Sequence, residues 1–221
     1  MHWYCDPGIA SAAVLTWPRI EDTALALIAK QNPEASLLAQ EAALTPGMGD
    51  KRLQDFVSGR HSAHLAQTLL GLPASPVLRD GRSPVWSEGL SGSISHSKEW
   101  ALAGVSSRYR SIGVDVEVCG RVTGKLHETV FRPEEIHALA DLPPDAAGVL
   151  FSAKEAGYKA IHPLVGEFVG FHEAAIELDW PGQQFRIRYL GDNPKNKALE
   201  SGVGFWRLAE NHVITVFLIQ E

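Results

Sequence analysis

The sequence predicts an α+β fold with mostly antiparallel sheets. Helical patterns and strand-like runs come in blocks, helices first and strands after, and that order occurs twice along the 221 residues. A doubly wound fold would instead alternate single strands with single helices. The strand-like runs also follow one another across short polar turns, such as Ser106–Arg110 and Pro181–Gln184, as antiparallel strands do.

The apolar residues 9–17 suit a first strand. Leu25, Leu27 and Ile28 suggest a helix broken at Asn32-Pro33, and Glu34 to Leu44 a second helix before the turn residues Thr45 to Gly49. From Asp50 to about Leu70, the apolar residues Leu53, Phe56, Val57, Leu65, Leu69 and Leu70 recur at helical spacing. Residues 77–92 are loop-rich, and strands are expected at Ser91–Ser97, Trp100–Ser106 and Ser111–Val118. A boundary between two halves falls near residue 108. Residues 120–150 read as irregular helix, with Arg132-Pro133-Glu134-Glu135 suited to a first turn. Pro143-Pro144-Asp145 can start a helix carrying Phe151–Ala160, which Pro163 bars from running on. Ala174–Trp180 and Phe185–Leu190 read as a hairpin, Gly191–Gly202 as a polar loop, and Gly204–Ala209 with Val213–Ile219 as a last strand pair. No sequence repeat links the halves.

Composition narrows the function classes. A hydrophobic content of 45% and a charged content of 21% are ordinary for a globular chain. No apolar run approaches the ~20 residues that span a membrane, and residues 9–17 have no basic residue before them, so they make a poor signal peptide. Two cysteines give no disulfide framework, which points to the cytoplasm. A net charge of −6 argues against a nucleic-acid binder. Lys51, Arg52, Arg60, Arg79 and Arg82 nevertheless cluster against only Asp55 and Asp80, a local cationic patch suited to a small anionic ligand.

Three groups of residues could carry chemistry. Asp115 and Glu117, two apart on a strand, project side by side, and paired carboxylates are tolerable around a cation such as Mg²⁺. Ser93, Ser95 and Ser97 alternate with Ile94 and His96, offering donors for phosphate oxygens. A Ser/His hydrolase is a poor fit, because adjacent Ser95 and His96 point to opposite strand faces and no G-x-S-x-G occurs. Lys51 or Arg52, Arg60 and Arg82 are candidates to grip phosphate, and neither a P-loop nor a G-x-G-x-x-G is present. On the helix, Phe151, Glu155, Tyr158 and His162 share a stripe, with Lys159 one turn from Glu155.

Gly113-Val-Asp-Val-Glu117, followed by Phe151-Ser-Ala-Lys-Glu-Ala-Gly-Tyr-Lys-Ala160, resembles the signature of the 4′-phosphopantetheinyl transferases. Gly92-Ser-Ile-Ser-His-Ser97, preceded by Asp80 to Trp86, is similar to the same family's upstream motif. The Phe-Ser-x-Lys-Glu form, the Lys51–Arg60 stretch and His162-Pro-Leu-Val-Gly166 resemble the enterobactin-synthase component D branch, of the surfactin-synthetase-activating type. The resemblance covers about residues 50–175. Ala156, where the branch commonly has Ser, and Ser87, where Pro often follows the Trp, depart from it.

The resemblance implies transfer of the phosphopantetheine arm of coenzyme A to a serine of an apo acyl, peptidyl or aryl carrier protein domain, releasing adenosine 3′,5′-bisphosphate. It implies a monomeric pseudo-dimer of two similar α/β subdomains with the active site in the cleft between them. Residues 1–108 would form the coenzyme A 3′-phosphate and adenine side, and 109–221 the metal and catalytic-helix side. Asp115, Glu117 and Glu155 would bind Mg²⁺ or Mn²⁺, with Glu135 a more distant candidate through water. Glu155 or a metal-bound water would be the base, and Lys159 would stabilise the leaving phosphate. Lys154 and Lys159 would contact the diphosphate, Ser95 and His96 the diphosphate or 3′-phosphate, and Arg52, Arg60 and Arg82 the 3′-phosphate and adenine end. The branch hints at siderophore and nonribosomal peptide synthesis without choosing among fatty-acid, polyketide and peptide carriers. A Mg²⁺-dependent pyrophosphatase of coenzyme A or a nucleotide could use the same acidic triad, and a non-catalytic carrier-binding module could keep the fold.

Overall fold

The computed structural model describes residues 1–30, 37–81 and 83–220, which fall into two compact units, Met1–Tyr109 and Arg110–Glu221. Both are α+β, and in each a 20-residue helix lies on a mostly antiparallel sheet.

The first unit begins with β1 (His2–Cys5), a short helix α1 (Ala10–Ala13) and β2 (Thr23–Ala29). After α2 (Ala39–Ala42) and the long α3 (Asp50–Leu69) come the hairpin β3 (Leu78–Asp80) and β4 (Ser83–Val85), then β5 (Ser91–His96) and β6 (Trp100–Ser106). The sheet order is β1-β2-β6-β5, with β1 parallel to β2 and the other pairs antiparallel. Helix α3 packs on β2 and β6 through small side chains. Ala63 and Ala66 are buried with Ala24, Ala26 and Ala103, and the Ser62 hydroxyl donates to the Ala26 carbonyl at 2.6 Å.

Two expectations fail here. The run holding Leu25, Leu27 and Ile28 is a strand, not a helix. It is paired on both edges and buried on both faces, so its sequence shows no alternation, and a short apolar run has no period that separates strand from helix. Residues 9–17 hold α1 instead of a strand, and the first strand lies earlier, at His2–Cys5. Of the helix expected over Glu34 to Leu44, residues 34–36 lie outside the described residues, and the remainder contains only the four-residue α2.

The second unit comprises β7 (Ser111–Val118), α4 (Lys125–Val130), α5 (Pro133–Leu139), α6 (Ala146–Val165), β8 (Ala174–Asp179), β9 (Gln184–Tyr189), β10 (Val203–Ala209) and β11 (His212–Ile219). Its five strands are all antiparallel, in the order β7-β11-β10-β9-β8. Phe185, Phe217 and Trp206, with Ile161 of α6 itself, belong to the core of this unit. Pro163 does not stop the helix. It lies in the last turn, where its missing N–H forfeits a single bond, and the end comes at Gly166, left-handed with φ of 75° and its N–H on the His162 carbonyl at 2.8 Å. The expected polar loop at 191–202 contains a 3₁₀ turn, Pro194–Ser201, which buries Leu199 and Asn196.

Helix α6 meets β7 in a regular series. The Ser111 hydroxyl donates to the Ala160 carbonyl at 2.6 Å, and Ser152 donates to Asp115 at 2.7 Å. Between them, a Cβ on Gly113 would lie 1.9 Å from the Ala156 carbonyl oxygen. Two residues of strand (about 6.7 Å) match four residues of helix (about 6 Å), so every second strand residue meets every fourth helix residue. Gly113→Ala should therefore lower the unfolding free energy in urea by about 3 kcal/mol, the upper end for an overpacked core. Gly148→Ala, whose Cβ would be 3.7 Å from its nearest neighbour, should be neutral or stabilising.

Candidate active site

The same series sets the direction of the acidic residues. Ser111, Gly113 and Asp115 lie on the strand face that α6 covers, and Glu117 shares it by the two-residue period of the strand. Ile112, Val114 and Val116 take the other face. β7 is the terminal strand of its sheet, yet its carboxylates are not a solvated outer face: Asp115 is 4% and Glu117 7% exposed.

Each carboxylate is held by the chain itself. Asp115 accepts the Ser152 hydroxyl on Oδ2, and the Lys159 ammonium lies 2.7 Å from Oδ1. Ser152 is in turn 2.9 Å from the Thr215 hydroxyl, on the strand residue paired with Asp115. Glu117 accepts the Val118 amide on Oε1 at 2.9 Å, and the Arg121 guanidinium on Oε2 at 2.6 Å. Glu155, next to this group on α6, is half-buried. Burial pushes its carboxyl above the usual range, Lys159 opposes the shift, and the nearby charges of Asp115 and Glu117 add to it. Among the described residues no three acidic, His or Cys side chains stand as a closed metal cage, and Lys159 and Arg121 supply positive charge to Asp115 and Glu117.

Lys154 and Glu135 are not part of this group. The Lys154 ammonium, 1% exposed, is enclosed by Glu135 Oε2 at 2.8 Å and the carbonyls of Phe171 and Ala174 at 2.8 and 2.6 Å. Those acceptors match its three donors. Glu135 also accepts the amides of Arg132 and Ile176, so the pair fastens α5 and α6 to the start of β8. Burial pulls the Lys154 ammonium below its usual range, against the pull of Glu135.

Behind Glu155 is a mainly apolar cavity of about 80 Å³, lined by Tyr158, Phe168, Val169 and Ile187 among others. Tyr158 stands between His162 and the exposed Phe168, with ring centroids 5.4 and 5.5 Å away, and Phe151 packs on Phe171.

In the first unit, Lys51, Arg52, Asp55, Phe56, Arg60 and His96 line an open depression of about 630 Å³. Arg52 is exposed, whereas Arg60 is 7% exposed and lies over the Phe56 ring at 4.2 Å. Two Arg60 donors are committed to the Val77 and Leu78 carbonyls at 2.8 and 3.0 Å. Burial brings its pKa down to about 10, against the charge of Glu41. His96 sits against α3 because residue 59 is glycine: a Cβ there would be 2.7 Å from Nε2. Ser95 is buried and absent from the lining, and Arg82 lies outside the described residues. Both cysteines are free thiols raised to about 11 by burial.

Structure thus brings together Asp115, Glu117, Glu155 and Lys159 in one unit, and Arg52, Arg60 and His96 in the other. Sequence reasoning missed Ser152, Thr215 and Arg121. Ser152 lies one turn before Glu155, and Arg121 follows a turn glycine; these were the only signals.

Residues 40–106 match the family model described as the 4′-phosphopantetheinyl transferase N-terminal domain, and residues 111–217 that of the 4′-phosphopantetheinyl transferase superfamily. The chain is 31% identical over 227 residues to the 4′-phosphopantetheinyl transferase PptT of Mycobacterium tuberculosis (strain ATCC 25618 / H37Rv), an alignment covering 96% of this chain and 99% of that one. It is 33% identical over 201 residues to the 4′-phosphopantetheinyl transferase Svp of Streptomyces mobaraensis, covering 86% and 82%. It is 39% identical over 133 residues to enterobactin synthase component D of Salmonella typhi, covering 58% and 56%.

Because Glu155 is raised in the folded state, its ionisation opposes folding. The stability it contributes is present below its unfolded pKa and is lost as pH rises through the folded value. Glu155→Gln keeps the shape of the neutral acid. In chelator it should raise the melting temperature at pH 8 and leave it unchanged at pH 4.

Proposed function

This chain belongs to the 4′-phosphopantetheinyl transferases, which move the phosphopantetheine arm of coenzyme A onto carrier proteins, and on that premise we propose that Asp115, Glu117, Glu155 and Lys159 are its reaction centre. The observation that carries this reading is the register of α6 on β7, which sets Ser152 and Lys159 on Asp115 and brings Glu155 into the field of both strand carboxylates.

The donor set fits a hard divalent cation. Two carboxylates are buried as neighbours, and the carboxyl of a third is pushed upward by burial and by their charge, a repulsion that a cation among them relieves. Asp115, Glu117 and Glu155 would hold Mg²⁺ or Mn²⁺. When bound, the metal would neutralise charge on the diphosphate as the attacked phosphorus becomes crowded with oxygens. Ser152 and Thr215 fix the Asp115 carboxylate in one orientation. Glu155, if it is not engaged by the metal, or else a water on the metal, would take the proton of the carrier serine. Lys159, 26% exposed, can turn its ammonium from Asp115 to the leaving phosphate. The cavity at Tyr158, Phe168 and Ile187, with Glu155 on its wall, is a candidate to receive part of the uncharged arm.

In the first unit, Arg52, Arg60 and His96 have the chemistry for the 3′-phosphate of coenzyme A. Lys154 and Glu135 are read as a structural pair. No helix among the described residues is long and apolar enough to cross a membrane. A cytoplasmic enzyme acting on acyl, peptidyl or aryl carriers is the setting proposed.

The test is incubation with coenzyme A, Mg²⁺ and a panel of apo carriers, read by mass spectrometry. A carrier should gain phosphopantetheine while adenosine 3′,5′-bisphosphate appears. Cleavage of coenzyme A with every carrier unmodified would mean a pyrophosphatase instead. Glu155→Gln should abolish transfer without loss of fold, and transfer at the wild-type rate would remove Glu155 from the centre. Arg52→Ala should raise the KM for coenzyme A with little change in kcat, as for a contact made equally in ground and transition states. Arg60→Ala should do the same and also melt at lower temperature, because two backbone carbonyls lose their donor.

A further inference from the structure

Arg121 is a cation to which the reaction assigns no task, yet its guanidinium lies on a carboxylate of the reaction centre. In an extended strand a residue four beyond Glu117 would lie about 13 Å away. Here the chain reverses. The Arg121 amide donates to the Val118 carbonyl at 3.3 Å, and Gly120 takes φ of 76°, a positive φ of the kind a type II turn has at its third position. The turn returns Arg121 to Glu117, with Nη1 2.6 Å from Oε2. The other oxygen, Oε1, accepts the Val118 amide. Both oxygens of Glu117 are thus engaged by donors from the next four residues.

The partners differ in freedom. The Glu117 side chain is 9% exposed and held in the sheet, whereas that of Arg121 is 65% exposed. The guanidinium can reach water by itself, and the carboxylate cannot follow it, so the pair opens readily only when another cation takes Glu117. We propose that Arg121 is a tethered counter-ion that competes with the divalent metal for Glu117, and that loading the site requires Arg121 to swing out. This rests on the reading that Asp115, Glu117 and Glu155 hold that metal. Lys159 has a similar position on Asp115, but it is retained for the chemistry, so Arg121 is the positioning residue whose effect can be measured separately. In the metal-free protein it would keep two neighbouring buried carboxylates from facing each other with too little positive charge. Its release would make metal entry a competition between two cations for Glu117.

The test uses the full chain and Mn²⁺ as the probe, with free Mn²⁺ followed by electron paramagnetic resonance. Arg121→Gln should bind Mn²⁺ about two- to five-fold more tightly than wild type, the gain from removing a counter-ion whose own side chain is mostly in water. The difference should shrink in about 1 M NaCl, where such pairs are screened. Glu117→Gln should lose binding in either background, and the melting curve of Arg121→Gln checks that it is folded. Equal or weaker Mn²⁺ binding by folded Arg121→Gln, with Glu117→Gln still deficient, would overturn the competition and leave the metal reading standing. Absence of Mn²⁺ binding by both wild type and Arg121→Gln would remove the metal reading, and this one with it.

Discussion

The centre depends on how closely α6 approaches β7. A helix normally stands off a sheet by the length of its side chains. Here Gly113, Ala156 and Ala160 remove that spacer, and Ser111 reaches a helix carbonyl directly. The benefit is positional. Asp115 meets Ser152 without an intervening layer, and the neighbouring ridge of α6 brings Glu155 and Lys159 into range of the same carboxylate. A looser helix would leave these groups in water, where their mutual influence would be weak. The packing that stabilises the second unit and the geometry that organises its charges are therefore one constraint.

Charge is handled in two different ways along this helix. Lys154 and Glu135 form a closed pair in which the ammonium and the carboxylate are also satisfied by backbone groups. Breaking such a pair from one side leaves a buried charge uncompensated. Asp115 and Glu117 are paired with Lys159 and Arg121, side chains that reach solvent. The first arrangement is rigid and structural. The second can exchange partners, as a site that admits a charged ligand must.

The grouping proposed as the centre was legible in part because it obeys two short periods. Asp115 and Glu117 are two apart on a strand, and Glu155 and Lys159 are four apart on a helix. Lys154 follows neither period: adjacent helix residues diverge by about 100°, and its ammonium is held by Glu135 and two carbonyls instead of lying beside Glu155. Ser152, Thr215 and Arg121 depend on pairing between elements, which no local period encodes. In the fold, the antiparallel runs from Ser91 to Val118 were readable from turns and alternation. β2 was not, because a strand covered on both sides has no polar face to betray its period.

The backbone at Val77 and Leu78 is held from two directions. Glu41, wholly buried, accepts the Val77 amide as well as the His64 ring. Burial pushes that carboxyl up, but His64 and the amides outweigh it and hold it below the usual range. Arg60 takes the two carbonyls of the same segment and rests on Phe56. A free arginine that captures an anion must surrender rotamer entropy, typically about 0.5–1.5 kcal/mol, when it does so. Arg60 surrendered it when the chain folded. An anion entering the depression would meet a guanidinium already frozen in place, and its affinity would carry no deduction for ordering that side chain.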